Sequence, residues 1–123
     1  MTLTAETTEL LNAAAVAAVN ALAEEIVAID VTDRLPFNDV FLICTADNPR
    51  HLRGVVNGIE ADVRKKTGRS SLHVEGAEES EWVLINYGDV AVHVFLGEAR
   101  GYYSLDKLWG AAPRVDISKA VAA

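Results

Sequence analysis

Reactive side chains are sparse in this sequence, which has three histidines, a single cysteine and carboxylates scattered along the chain. His51, His73 and His93 show neither HxxxH nor HxH spacing, so a shared metal would require them to converge in space. Lone histidines on separate elements are usually hydrogen-bonded surface or core residues. Cys44 and a histidine would make a nucleophilic pair only if the thiol could ionise. It lies inside the apolar run Val40-Phe41-Leu42-Ile43-Cys44-Thr45, which predicts a buried, protonated and inert sulfur. The phosphate-cradling patterns GxxxxGK[ST] and GxGxxG and the nucleophile elbow GxSxG are all missing. Asp30-Val31-Thr32-Asp33 places one acid at a strand end and one in a loop, a spacing that matches no metal motif.

The segment from His73 to Ala99 has a different character. It carries Glu75, Glu78, Glu79, Glu81, Asp89 and Glu98 with no Lys or Arg, and Trp82 follows the acidic loop directly. An acidic rim beside an aromatic anchor suits a protein interface. In the competing reading Trp82 begins a core strand and the glutamates form a solvated loop. Tyr102, Tyr103, Leu105, Leu108 and Trp109 add an apolar and aromatic cluster near the C-terminus. Part of that cluster is expected to pack on a sheet, and part to be available to a partner.

A few elements must position these residues. Thr7 or Thr8 is placed to cap a first helix whose apolar face runs through Leu11, Ala15, Ala18, Leu22 and Ile26. The β-branched run Ile26 to Val31 and the run Val40 to Thr45 predict two strands. Asn48 as cap, Pro49 at the first helical position, the stripe Leu52, Val55, Val56, Ile59, Val63 and the stop at Gly68 predict a second helix. On it, Glu60 with Arg64 and Asp62 with Lys66 are spaced to form stabilising pairs. Leu72-His73-Val74 predicts a strand joined to its predecessor by a right-handed parallel crossover. Trp82 to Asn86 and Val90 to Phe95 predict a hairpin about Tyr87-Gly88-Asp89, and Glu98–Tyr103 and Leu105–Trp109 predict short helical turns. Three helical segments and about five strands in this order make an α/β or α+β domain with a mixed sheet.

Composition bounds the answer from the other side. A chain of 123 residues, half of them hydrophobic, is one domain spanning 1–123, expected to be loose at about 1–6 and 113–123. One cysteine excludes an internal disulfide and favours a reducing compartment. The first 33 residues contain no Lys or Arg, so a signal peptide with a basic start is not expected, and a cytoplasmic protein is. A net charge of -7 argues against general binding to the backbone of nucleic acids and towards basic partners.

Val74-Glu75-Gly76, Trp82, Asp89-Val90, Val92-His93-Val94, Arg100, Tyr103 and Leu105-Asp106-Lys107-Leu108-Trp109 stand in the order found in the Iojap-like ribosomal silencing factor family, RsfS. Ile29-Asp30-Val31, the strand from Asp39 to Thr45 and Arg50-His51 extend the resemblance to nearly the whole chain except its ends. Val40 and Ala46-Asp47-Asn48 depart from the residue types commoner in that family.

The resemblance implies a bacterial translation regulator without catalytic activity or cofactor. It would bind the large ribosomal subunit through ribosomal protein number fourteen and block joining of the small subunit, chiefly in starvation. It also implies a five-stranded mixed sheet flanked by helices, a fold shared with nucleotidyltransferases. That chemistry needs a Gly-Ser turn and a pair of metal-binding acids, and this chain has neither a Gly-Ser dipeptide nor an Asp-x-Asp. A degenerate nucleotidyltransferase or nucleotide-binding domain is the alternative. The family's partner contact maps to Trp82, with Tyr103, Asp106 and Lys107 as nearby recognition residues. Glu75, Glu79 and Glu81 join them on electrostatic grounds. Homodimerisation of the free protein is implied as well.

Overall fold

A computed structural model describes residues 3–32, 38–76, 81–97 and 113–118. These form two helices and a six-stranded sheet: α1 (Ala5–Asn20), β1 (Glu24–Asp30), β2 (Val40–Ala46), α2 (Pro49–Thr67), β3 (His73–Glu75), β4 (Trp82–Asn86), β5 (Val90–Leu96) and β6 (Arg114–Val115).

Helix α1 begins a turn earlier than Thr7 or Thr8 would place it. Thr4 is the cap, and its side-chain oxygen accepts the Thr7 N–H at 3.1 Å. The predicted stripe also stops at Ala18. Leu22 follows the helix with a φ of 64° and is 76% exposed, while Ile26 lies in β1. Most of what α1 buries is alanine, namely Ala13, Ala14, Ala15, Ala17 and Ala18 beside Leu10 and Leu11, which lets its axis come close to its neighbours.

Helix α2 forms as its local signals dictate. The Asn48 side chain accepts the His51 N–H at 2.8 Å, Pro49 opens the first turn, and Gly68 closes the last one in the left-handed region at φ 77°. The stripe Leu52, Val55, Val56, Ile59 and Val63 is buried throughout. The expected pairs on its surface do not form. Glu60 instead accepts a hydrogen bond from the Ser71 hydroxyl at 2.8 Å, and no ion pair joins Glu60 to Arg64 or Asp62 to Lys66.

The sheet runs β3-β4-β5-β2-β1-β6, with β2 and β5 as its one parallel pair. The hairpin is β4–β5, in register from Trp82↔Phe95 to Asn86↔Ala91. The expected crossover lands elsewhere: β3 runs parallel to β2, but β4 and β5 lie between them. Residues 114–115, expected in a loose tail, pair with β1 as a sixth strand, and Ile117 is buried. The predicted helical turns at 98–109 lie outside the described residues.

Strand periodicity sorts the two sheet faces. Ala28, Val40, Leu42, Cys44, Ala46, Val83, Ile85, Val90, Val92 and Val94 face α1 and α2 in the main core. Ile29, Phe41, Ile43, Ala91 and Phe95 form a second cluster on the opposite face, with Trp82 and Leu84 packed against it. Cys44 is fully buried, as its apolar strand predicts.

Candidate functional site

Trp82 opens β4 on the face turned away from the helices. It is half-buried and stacks on Phe95, its cross-strand partner, with ring centroids 5.2 Å apart and planes 20° from parallel. Its indole N–H donates to Nδ1 of His93 at 3.0 Å. His93 sits diagonally across the same pair and is itself edge-on to Phe41, with centroids 4.5 Å apart. Trp82 is thus both a packing residue and a hydrogen-bond donor, midway between the exposed anchor and the core tryptophan that its sequence context leaves open.

His93 is only 4% exposed. Burial pushes its pKa down from the ordinary value to about 4, so the ring is neutral near pH 7. Because Nδ1 accepts from Trp82, the proton resides on Nε2, which is buried without a hydrogen-bond partner among the described residues. Neither ring offers a catalytic base to solvent.

The other expected site residues divide by position. Glu75 ends β3 and Glu81 precedes β4, so both stand at the same end of this antiparallel pair as Trp82, and both carboxylates are exposed. Glu75 accepts from His73 Nε2 at 2.8 Å across an exposed surface. Glu79, Tyr103, Asp106 and Lys107 lie outside the described residues.

Asp89 does not belong to the acidic rim. Both its oxygens are held by Arg69, at 2.8 and 3.0 Å, and one also accepts the Thr7 hydroxyl at 2.7 Å. Its backbone carbonyl receives the N–H groups of Asp39 and Val40 at 2.7 and 3.1 Å. Arg69 donates further to the Tyr87 carbonyl at 2.8 Å. Burial alone would raise the Asp89 pKa, but the hydrogen bonds from Arg69 and Thr7 outweigh it and hold the carboxyl below the usual range. This knot ties the start of α1, the end of α2, the entry to β2 and the β4–β5 turn. No spacing rule could find it, because its partners are 20 and 82 positions apart.

His51 plays a similar local part. It receives the Asp47 N–H on Nδ1 at 2.9 Å and lies 2.8 Å from the Ala21 carbonyl through Nε2, joining the start of α2 to the end of α1. All three histidines are therefore engaged, and separately. Among the described residues, no three His, Cys, Asp or Glu side chains are grouped to hold a metal, and no helix is long and apolar enough to cross a membrane. The β3–β4 end presents exposed carboxylates beside a half-buried aromatic ring.

Residues 4–123 match the family described as ribosomal silencing factor during starvation. The chain is 36% identical to the ribosomal silencing factor RsfS of Halalkalibacterium halodurans over 92% of its length and 96% of that protein's. It is 38% identical to the RsfS of Bacillus subtilis over 88% of its length and 91% of that protein's. Its fold superposes on the crystal structure of a Chromobacterium violaceum protein with a TM-score of 0.79 at 30% identity, covering 84% of this chain and 85% of the other. On the strength of these matches, the chain belongs to the ribosomal silencing factor family.

Proposed function

We propose that the protein is a translation repressor without catalytic activity. It binds the large ribosomal subunit through ribosomal protein number fourteen and sterically prevents the small subunit from joining, chiefly in starvation. The observation that carries this reading is the family match over residues 4–123, nearly the full chain. The exposed Glu75 and Glu81 beside Trp82 support it, because such a rim complements a basic ribosomal protein. Glu79, Tyr103, Asp106 and Lys107 are assigned to the same contact from the sequence. A 13.2 kDa domain docked there supplies the obstruction by its bulk. The free protein pairs with a second copy of itself, as the family resemblance implies.

Separated ribosomal subunits mixed with excess protein and resolved on a gradient test the reading. The joined-ribosome peak should shrink, with the protein migrating in the large-subunit fractions. An undiminished joined peak overturns it.

A further inference from the structure

The cations of α2 have no counterpart inside the fold. Six of the eleven Lys and Arg residues fall between positions 50 and 69, opposed there only by Glu60 and Asp62. That segment is therefore positive by four charges within a chain of net charge -7. Arg69 is consumed by Asp89. Arg50, Arg53, Arg64, Lys65 and Lys66 are all exposed, and among the described residues none of them forms an ion pair.

Their placement is ordered. At about 100° per residue, Arg50, Arg53, Arg64 and Lys65 fall within an arc of about 120° directly opposite the buried stripe. Glu60 and Asp62 flank that arc and do not enter it. Arg50 and Arg53 sit about 20 Å along the axis from Arg64 and Lys65, so the helix presents two cationic ends joined by Gly54, Asn57 and Ala61. A side chain on Gly54 would meet nothing within 4 Å, so packing does not require glycine at this mid-helix position. The bare backbone leaves room for a partner to approach closely.

We infer that the outer face of α2 is a contact for the phosphate backbone of duplex RNA. Guanidinium groups match phosphate in geometry as well as charge, and two cationic clusters on a rigid rod suit a polyanion of regular spacing. A lipid surface fits poorly, because an interfacial helix needs an apolar face to insert and the apolar face of α2 is wholly buried in the core. That the RNA is ribosomal rests on the function proposed above, whereas the phosphate chemistry does not. Trp82 lies on the opposite sheet face, so a protein contact there and an RNA contact at α2 leave each other unobstructed.

The test is fluorescence anisotropy of a labelled RNA duplex of about one and a half helical turns, titrated with the full chain at several salt concentrations. The parent should bind with a log–log salt slope of about -3 to -4, near the value for four neutralised phosphates. The R53Q/R64Q/K65Q variant keeps good helix formers at exposed positions, so it should unfold like the parent, bind about tenfold or more weakly and lose most of that slope. Equal RNA binding by parent and variant overturns the inference. So does stronger binding of the parent to polyglutamate or to anionic vesicles than to RNA. The subunit gradient reads separately: subunit joining still blocked with no duplex binding would reject this inference alone, and duplex binding with joining unimpaired would reject the proposed function alone.

Discussion

The hydrogen bond from Trp82 Nε1 to His93 Nδ1 decides the protonation of a buried ring. It demands a lone pair on Nδ1, and charging His93 would require a proton to displace the indole donor inside the second core cluster.

Stability should therefore depend on pH in a defined window. His93 has a pKa of about 4 when folded, below its ordinary unfolded value, so the unfolded chain binds more protons between the two values. The contribution is fully present above about pH 6.5 and is lost as pH falls towards 4, by roughly 3 kcal/mol at the lower end. Urea unfolding at steps between pH 7 and 4.5 should show this decline. In His93→Phe it should flatten, and a slope unchanged by that substitution would assign the decline to other groups.

The Arg69–Asp89 pair should behave as a clamp on four segments. Asp89→Ala is expected to cost about 2 kcal/mol, because Arg69 and Thr7 lose a charged acceptor in a partly shielded site. Arg69→Ala, Asp89→Ala and the double variant should show a coupling of about 1 kcal/mol or more in a denaturant cycle. Asp89 has a lowered pKa, so its share is present above the ordinary carboxylate value and disappears as pH falls through the folded one, below the window of His93.

Three glycines should respond in three ways to alanine. Gly54→Ala, in open helical space, should stabilise by up to about 1 kcal/mol. Gly68→Ala should destabilise by about 1 kcal/mol, because φ is 77° although nothing crowds the new methyl group. Gly88→Ala should cost more, since φ is 96° and Leu72 Cδ1 would lie 3.3 Å away. Midpoints of thermal unfolding rank them directly.

Trp82 can be probed without dismantling its stack. Trp82→Ala should cost about 2 kcal/mol of stability, less than a fully buried tryptophan, by loss of the Phe95 contact. Trp82→Phe should keep the stack, cost about 1 kcal/mol through the unpaired Nδ1 of His93, and weaken capture of the isolated ribosomal protein about thirtyfold. Full capture by the Phe variant would remove Trp82 from the interface.

Association with that isolated ribosomal protein should slow as salt rises past about 0.15 M, where screening falls to about 8 Å. Replacing Glu75 and Glu81 with glutamine should slow it at low salt and shrink the salt effect. A rate indifferent to both changes would leave the rim as a solubility feature.

What the sequence discloses here tracks the distance over which each signal acts. The caps, bounds and buried stripe of α2 are readable because Asn48, Pro49, the apolar positions and Gly68 act within one element, although its expected surface pairs do not form. The cap of α1 is misplaced because Thr4 and Thr7 look alike locally, and Thr7 is committed to Asp89, far along the chain. The β4–β5 hairpin is legible from its turn, but strand order is not, since β3 must pass two strands before reaching its place. The two-residue β6 carries no periodicity at all. At the candidate site, Glu75 and Glu81 are proposed from charge alone, whereas Trp82 is chosen over the core reading only through the family resemblance. The role of His93 depends on a diagonal strand register that composition does not contain.

The central β2–β5 pairing joins residues fifty positions apart, Val40 to Val90 and Ala46 to Leu96. During synthesis, at about 5–20 residues per second, β2 waits roughly 2.5 to 10 s for its partner to be made. Every one of its residues is apolar or buried in the finished sheet, so in that interval β1 protects one edge and the other stands open, with its amides and carbonyls unpaired. The nascent chain thus passes through a stage in which a strand that is wholly buried in the finished sheet has one edge unpaired, and completion of the second half of the chain ends that exposure.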